Sequence, residues 1–231
     1  MGRTSALRAA VIGDVVGSRR APDRRGLQLD VGKALDLTNE LIPALQPLRH
    51  TVGDEFQGLY PDPASALDAA LLVRLALVGT ADVRHGVGWG ELEVFDPDSL
   101  PIAQDGPAWW AARDGIGRVK KRAGGREGPQ GLRTAVVVHP ELEATERGFD
   151  PFLVVNAYLV VRDELISRMS DRDARITLGL FTGRRQEDLA ALEGVSQSAI
   201  SQRASKGGAY AVLEAQRLCR EGMGWSTSAS G

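Results

Sequence analysis

Two short acidic phrases constrain this chain more than anything else in it: Val11-Ile12-Gly13-Asp14-Val15-Val16-Gly17-Ser18-Arg19 and Val52-Gly53-Asp54-Glu55-Phe56-Gln57-Gly58. Each sets a carboxylate at the edge of an apolar, strand-like run. The two aspartates lie 40 residues apart, with one helix-length segment between them. A fold that makes the two runs neighbouring strands brings both acids to the same end of one sheet. Converging carboxylates beside glycines suit Mg2+ and a polyphosphate.

The rest of the composition narrows the class. At 231 residues the chain makes one large domain or two small ones, and its 43% apolar content is enough for a proper core. The net charge of −2 gives no global attraction to nucleic acid or an anionic membrane, so any DNA binding must come from a local surface. A single cysteine, Cys219, excludes an internal disulfide and a cysteine zinc site. The apolar run near the N-terminus soon reaches Asp14, unlike a signal peptide. No apolar stretch approaches the ~20 residues that cross a bilayer. These features predict a soluble cytoplasmic protein with no membrane partner.

Along the chain, Leu7 to Gly13 reads as a buried first strand, and Asp23 caps a helix running to about Gln46. Leu48–Val52 and Phe56–Tyr60 form a hairpin whose tip carries the acids. Ala64–Val78 is an alanine- and leucine-rich helix. Ala81–Phe95 is a strand in which Val83, His85, Val87 and Trp89 alternate with Arg84, Gly86, Gly88 and Gly90. A helix spans Asp105–Val119, Lys120–Gly131 is a loop, and Arg133–His139 is a strand. This order predicts an α+β sandwich of the ferredoxin-like β-α-β-β-α-β kind, with helices on one face of a mainly antiparallel sheet. After Pro140 the pattern is helical. The predicted domains are 1–146 and 147–223, with the boundary near 141–151 and a disordered tail over 224–231.

Asp14, Asp54 and Glu55 are the candidate metal ligands. Gly17, Ser18 and Arg19 form a turn able to face a phosphate, and Arg113 is a basic group in reach of the same ligand. Arg118, Lys120 and Lys121 extend that basic patch, or form a solvated helix face. Trp109-Trp110 offers a stacking surface or a core anchor. His50, His85 and His139 lack ligand spacing and read as structural.

The layout resembles class III nucleotidyl cyclase and GGDEF-type palm domains, which place one metal-binding Asp at the end of the first strand and another acid at a hairpin tip. Arg84-His85-Gly86-Val87-Gly88-Trp89-Gly90 resembles the glycine-rich fourth strand of the cyclases. Val52 stands where GGDEF enzymes carry a second glycine, and no late Asn/Arg pair of the cyclase kind is evident. Gly13-Asp14-Val15-Val16 with Ser18-Arg19, Gly53-Asp54-Glu55-Phe56-Gln57, and Asp105-Gly106-Pro107-Ala108 with Ala112-Arg113 resemble the bacterial SatD family over roughly residues 6–140. That resemblance implies a nucleotidyl-cyclase-type core and does not by itself imply a cyclase reaction.

Near the C-terminus, Arg184 to Lys206 has helix-turn-helix spacing. Leu189, Ala190, Val195 and Ile200 are apolar where two short helices pack, Gly194 sits in the turn, and Ser196 caps the second helix. Ser196 at its cap and Gln197, Ser198, Ser201, Gln202, Arg203 and Lys206 along that helix are the candidate DNA contacts, in a pattern that resembles winged-helix and sigma-type readers. The alternative is a helical hairpin that only packs on the first domain. From Arg168 to Glu221 nine Lys/Arg stand against seven Asp/Glu, so charge does not decide. The apolar Phe152–Met169 helix is a core element or a homodimer seam.

Three functions fit these features. The favoured one is a DNA-binding regulator whose first domain binds a nucleotide or other phosphate ligand with Mg2+. The alternative is a Mg2+-dependent nucleotidyl cyclase or nucleotidyltransferase acting on nucleoside triphosphates. The third is a structural protein with a vestigial acidic site. A basic group standing opposite the acids distinguishes the enzyme.

Overall fold

The computed structural model of the chain describes residues 6–96, 103–139 and 150–223. The expected tail, and most of the expected 141–151 boundary, lie outside these residues.

The chain runs β1 (Ala6–Val15), a single 3-10 turn (Ser18–Arg20), α1 (Arg24–Leu41), β2 (Gln46–His50), β3 (Glu55–Tyr60) and α2 (Pro63–Ala76). Next come β4 (Val83–Asp96), β5 (Ala103–Asp105), α3 (Pro107–Ala123) and β6 (Thr134–Val138). Five helices follow: α4 (Pro151–Ser167), α5 (Asp171–Phe181), α6 (Gln186–Glu193), α7 (Gln197–Lys206) and α8 (Ala209–Met223). The sheet order is β2-β3-β1-β4-β5, and β6 also pairs with β4. Every pairing is antiparallel except β4–β6.

Helices cover both faces of this sheet, not one as the sequence suggests. Successive β1 residues point to opposite faces. Ala9, Val11 and Val15 pack with Val31 and Leu35 of α1, Leu67 and Val73 of α2, and Leu159 of α4. Ala10 and Ile12 pack with Ala108, Ala112 and Ile116 of α3. The glycine alternation in β4 serves this second layer. A Cβ at Gly86 or Gly88 would overlap the carbonyl oxygens of Ala112 and Ala108, so α3 lies directly on the strand.

Several boundaries shift from the sequence reading, and β5 is a strand that reading lacks; the shifts that bear on the site are in α1 and α3. Pro43 forces Ile42 into an extended conformation (φ −114°, ψ 110°), and α1 stops at Leu41 rather than near Gln46. Pro107 at the first turn starts α3 two residues late. That helix then continues to Ala123, so Lys120 belongs to a helix and not to a loop.

The alanine- and leucine-rich α2 is buried almost all round. One side faces the sheet core. The other presents Leu71 and Leu75 to Ile166 of α4, Ala174 of α5 and Val212 of α8. A helix apolar on every side needs two covers, and the C-terminal helices supply the second. Behind β6, buried Asp163 accepts the backbone N–H groups of Arg133 (2.7 Å) and Thr134 (2.6 Å) and pairs with Arg162 and Arg74. Asn156 satisfies the edge of the same strand. Its side chain accepts from the Val136 N–H (3.0 Å) and donates to the Val136 carbonyl (2.8 Å). No helix among the described residues is long and apolar enough to cross a membrane.

Candidate functional site

The antiparallel register sets Asp14 of β1 opposite Glu55 of β3 on one side and opposite Arg84 of β4 on the other. All three lie on the face that α3 covers. Ile116 of α3 packs into that face. Arg113 and Lys120 lie three and four residues away from it, on the same helical side. One rim of the sheet therefore gathers acids from three loops and strands, and bases from β4 and α3.

Lys120 Nζ lies 2.5 Å from Asp14 Oδ2, and Arg84 Nη1 lies 3.8 Å from Asp14 Oδ1. Glu55 is gripped by both arms of Arg113, one of them at 2.8 Å, and accepts from Gln57 Nε2 at 2.8 Å. Burial pushes the Glu55 carboxyl up, and the hydrogen bonds from Arg113 and Gln57 outweigh it and hold the group below its ordinary range. The Ser18 hydroxyl donates to Asp54 Oδ2. That bond is the largest cause holding Asp54 below its ordinary range, and Arg19 and Lys120 add to it through space. Gly17 (φ 71°) and Gly53 (φ 77°) shape the two turns on either side of the site, in a backbone region that glycine enters without strain.

Hard carboxylate oxygens are the donors Mg2+ prefers. Asp14 Oδ1 is buried and has no hydrogen-bond partner, an orphaned acceptor beside the Asp54 turn. That free oxygen is a donor of the kind a hard cation takes, whereas Asp54 Oδ2 is already bonded to the Ser18 hydroxyl. Glu55, also expected as a ligand, is engaged by Arg113 instead. Among the described residues no three His, Cys, Asp or Glu side chains form a ready ligand cluster.

The other expected residues fall as follows. Ser18 is buried with its hydroxyl committed to Asp54, while Arg19 is exposed. Trp109 packs against the α3-side core. Trp110 is 56% exposed and donates its indole N–H to Asp105 at 2.8 Å. Arg118 pairs with Asp114, and Lys121 is exposed. His85 is fully buried edge-on to Phe56, and burial pulls its pKa down to about 3, so it is a neutral core residue. Arg84 was not singled out in the sequence. Its parity with Gly86 and Gly88, which marks the face that α3 covers, is the signal that finds it.

At the other end of the chain, α6 and α7 are joined through Gly194, and Ser196 accepts the Ala199 N–H at 3.2 Å as the cap of α7. Leu189, Ala190 and Ile200 pack with Ile176 of α5 and Ala209 of α8, and Val195 leans on them. Gln197, Ser198, Gln202 and Lys206 are exposed, and Ser201 is half-buried. Arg203 does not stand free, because it is held by Asp173 at 3.0 Å.

A SatD family model matches residues 8–219, and the chain belongs to that family. No curated protein matches it. Its structural neighbours are nucleotidyl cyclase domains. A bacterial light-regulated adenylyl cyclase aligns at TM-score 0.42 and 10% identity, over 52% of this chain and 42% of that one. The guanylyl cyclase Cya2 aligns at 0.40 and 14%, over 52% and 72%. The adenylyl cyclase CyaB from P. aeruginosa aligns at 0.39 and 12%, over 49% and 72%.

Proposed function

We propose that this SatD-family chain binds a nucleoside triphosphate with Mg2+ at the acidic rim of its sheet and catalyses nucleotidyl transfer with loss of pyrophosphate. The observation that carries the reading is the row of bases, Arg84, Arg113 and Lys120, set against Asp14 and Glu55. Phosphoryl chemistry needs both signs, since catalysis there is positioning plus neutralisation of developing charge.

In this reading Asp14 and Asp54 would hold the Mg2+, which would screen the phosphate oxygens and lower the pKa of an attacking hydroxyl. The turn through Gly17, Ser18 and Arg19 faces the phosphates. The Val15 and Val16 amides hold that turn in place by bonding to the carbonyls of Asp54 (3.2 Å) and Asp82 (2.8 Å). Arg113, Lys120 and Arg84 take the charge that grows on the leaving pyrophosphate. Trp110, exposed three residues before Arg113, offers a nucleobase a stacking face.

A thermal-shift screen of nucleoside triphosphates with and without Mg2+, followed by a pyrophosphate-release assay on each hit, tests the reading. The expected result is a Mg2+-dependent hit that disappears in Asp14→Ala and Asp54→Ala. A hit that survives both substitutions, or no hit at all, refutes the site.

A second reading concerns α7 and is favoured by one observation: its outward side carries Gln197, Ser198, Gln202 and Lys206, and the helix contains no acid. Such a helix suits the major groove of DNA, with glutamines toward adenine edges and Lys206 toward a phosphate. Gln197→Ala with Gln202→Ala is expected to weaken sequence-specific binding and spare nonspecific binding. Absence of any salt-sensitive DNA binding by the wild type rejects it.

A further inference from the structure

The acids of the candidate site come with their own counter-ions. Lys120 sits 2.5 Å from Asp14, Arg84 lies on its other oxygen, Arg113 forks onto Glu55, and Arg19 and Lys120 both act on Asp54. A metal ion arriving alone meets a carboxylate already neutralised, with an ammonium in its place. A polyphosphate arriving alone meets cations already engaged and carboxylates that repel it. Arriving together, the two ligands can trade partners with the protein: the metal takes the carboxylates, the phosphates take the released cations, and no charge is left unpaired.

The cations differ in how readily they can make this exchange. Arg84 has only 23% of its side chain exposed, and Arg113, though 54% exposed, is fixed by a two-armed grip on Glu55. Lys120 is the mobile one. Its side chain is 48% exposed, near the end of α3, and an ammonium on a flexible stem can swing between partners where a forked guanidinium cannot. Asp14 Oδ1 accepts no hydrogen bond, with Arg84 standing off at 3.8 Å, while Lys120 holds Oδ2.

We propose that Lys120 is a resident counter-ion, holding Asp14 in the metal-free protein and passing to the polyphosphate when the metal binds, so that the two ligands bind cooperatively. The inference rests on the assignment of Asp14 to a metal-and-phosphate site. Linkage makes the cooperativity reciprocal: the metal raises polyphosphate affinity by the same factor by which the polyphosphate raises the metal's.

The test uses Mn2+ as the metal, with free Mn2+ read by electron paramagnetic resonance, and inorganic tripolyphosphate as the second probe. A unit charge beside Asp14 in this half-exposed setting is worth about tenfold in affinity. Lys120→Met is therefore expected to bind Mn2+ alone about tenfold more tightly than wild type. At saturating Mn2+ it is expected to bind tripolyphosphate about tenfold more weakly. Lys120→Arg, which keeps the charge, is expected to follow wild type in the Mn2+-only arm. Circular-dichroism melting of each variant verifies the fold. Mn2+ affinity of Lys120→Met equal to or below wild type overturns the exchange. The underlying site is tested separately: Mn2+ binding by Lys120→Met is expected to vanish when Asp14→Asn is added, and binding that persists refutes the site itself.

Discussion

Asp14→Asn separates a ligand site from a structural ion pair, because the two roles predict different patterns of stability. Asparagine keeps the shape of the side chain and removes its charge. In the ligand-free protein it leaves Lys120 and Arg84 facing a neutral amide. Lys120 is half-exposed and Arg84 stands at 3.8 Å, so solvent screens both interactions and the loss is about 1 kcal/mol. For a chain of this size that lowers Tm by roughly 2–4 °C. The ligand-bound protein behaves differently. A triphosphate with Mg2+ at a hundred times its Kd stabilises the wild type by about 2.7 kcal/mol, or roughly 5–11 °C. Losing a charged partner of the metal costs about 2.7 kcal/mol of binding, a hundredfold, which brings Kd up to the working concentration. The residual stabilisation is then about 0.4 kcal/mol, a shift of roughly 1–2 °C. Differential scanning fluorimetry with and without ligand measures both quantities. A variant that keeps the full ligand shift refutes the assignment of Asp14. A ligand-free loss above about 4 kcal/mol refutes the screening argument and makes Asp14 a structural ion.

Three further outcomes are expected. Asp163→Asn removes a buried carboxylate and leaves Arg162 and Arg74 uncompensated, a change that costs about 3–5 kcal/mol in chemical denaturation; a loss below 1 kcal/mol contradicts it. His85 is neutral when folded, with a pKa near 3 against 6.5 unfolded, so between those values the unfolded chain binds the extra proton and stability falls as pH falls, by up to about 1.4 kcal/mol per pH unit. His85→Leu is expected to flatten that slope in denaturation curves between pH 6 and about 4, and an unchanged slope refutes the assignment. Gly88→Ala puts a Cβ into the Ala108 carbonyl and lifts α3 from β4, so it is expected to cost about 2 kcal/mol or more and to weaken ligand binding through Arg113 and Lys120; a neutral substitution rejects the close-contact argument.

The strand carrying Asp14 and the hairpin carrying Asp54 were legible because both signals are local: an apolar run, a glycine and an acid. The caps were legible for the same reason, as with Asp23, which accepts the Gly26 N–H at 2.8 Å. What escaped depends on pairing across the chain. Nothing near Lys120 in the sequence says that α3 continues through it, since the glycines that follow look like loop. Only the seating of α3 on Gly86 and Gly88 sets its register over Asp14. The two-sided cover of the sheet was readable in principle from α2. Its apolar residues circle the whole helix, and such a helix needs partners that the strands alone cannot supply.

The same geometry explains why the site uses acids and bases in near balance. Asp14 lies at the end of a strand whose neighbours Val11 and Ile12 are fully buried, and only 12% of its side chain meets solvent. A carboxylate so placed is expensive without a counter-charge. Intrinsic cations supply that counter-charge in the ligand-free protein, and they come from the two elements already packed on that face: Arg84 from the glycine strand and Lys120 from the helix the glycines admit. In the proposed reading, the groups that make the acid tolerable are also the groups a polyphosphate would take. Folding and that binding would then select the same side chains, and the glycine alternation of β4, which carries no chemistry itself, is the part of the sequence that seats α3 for both.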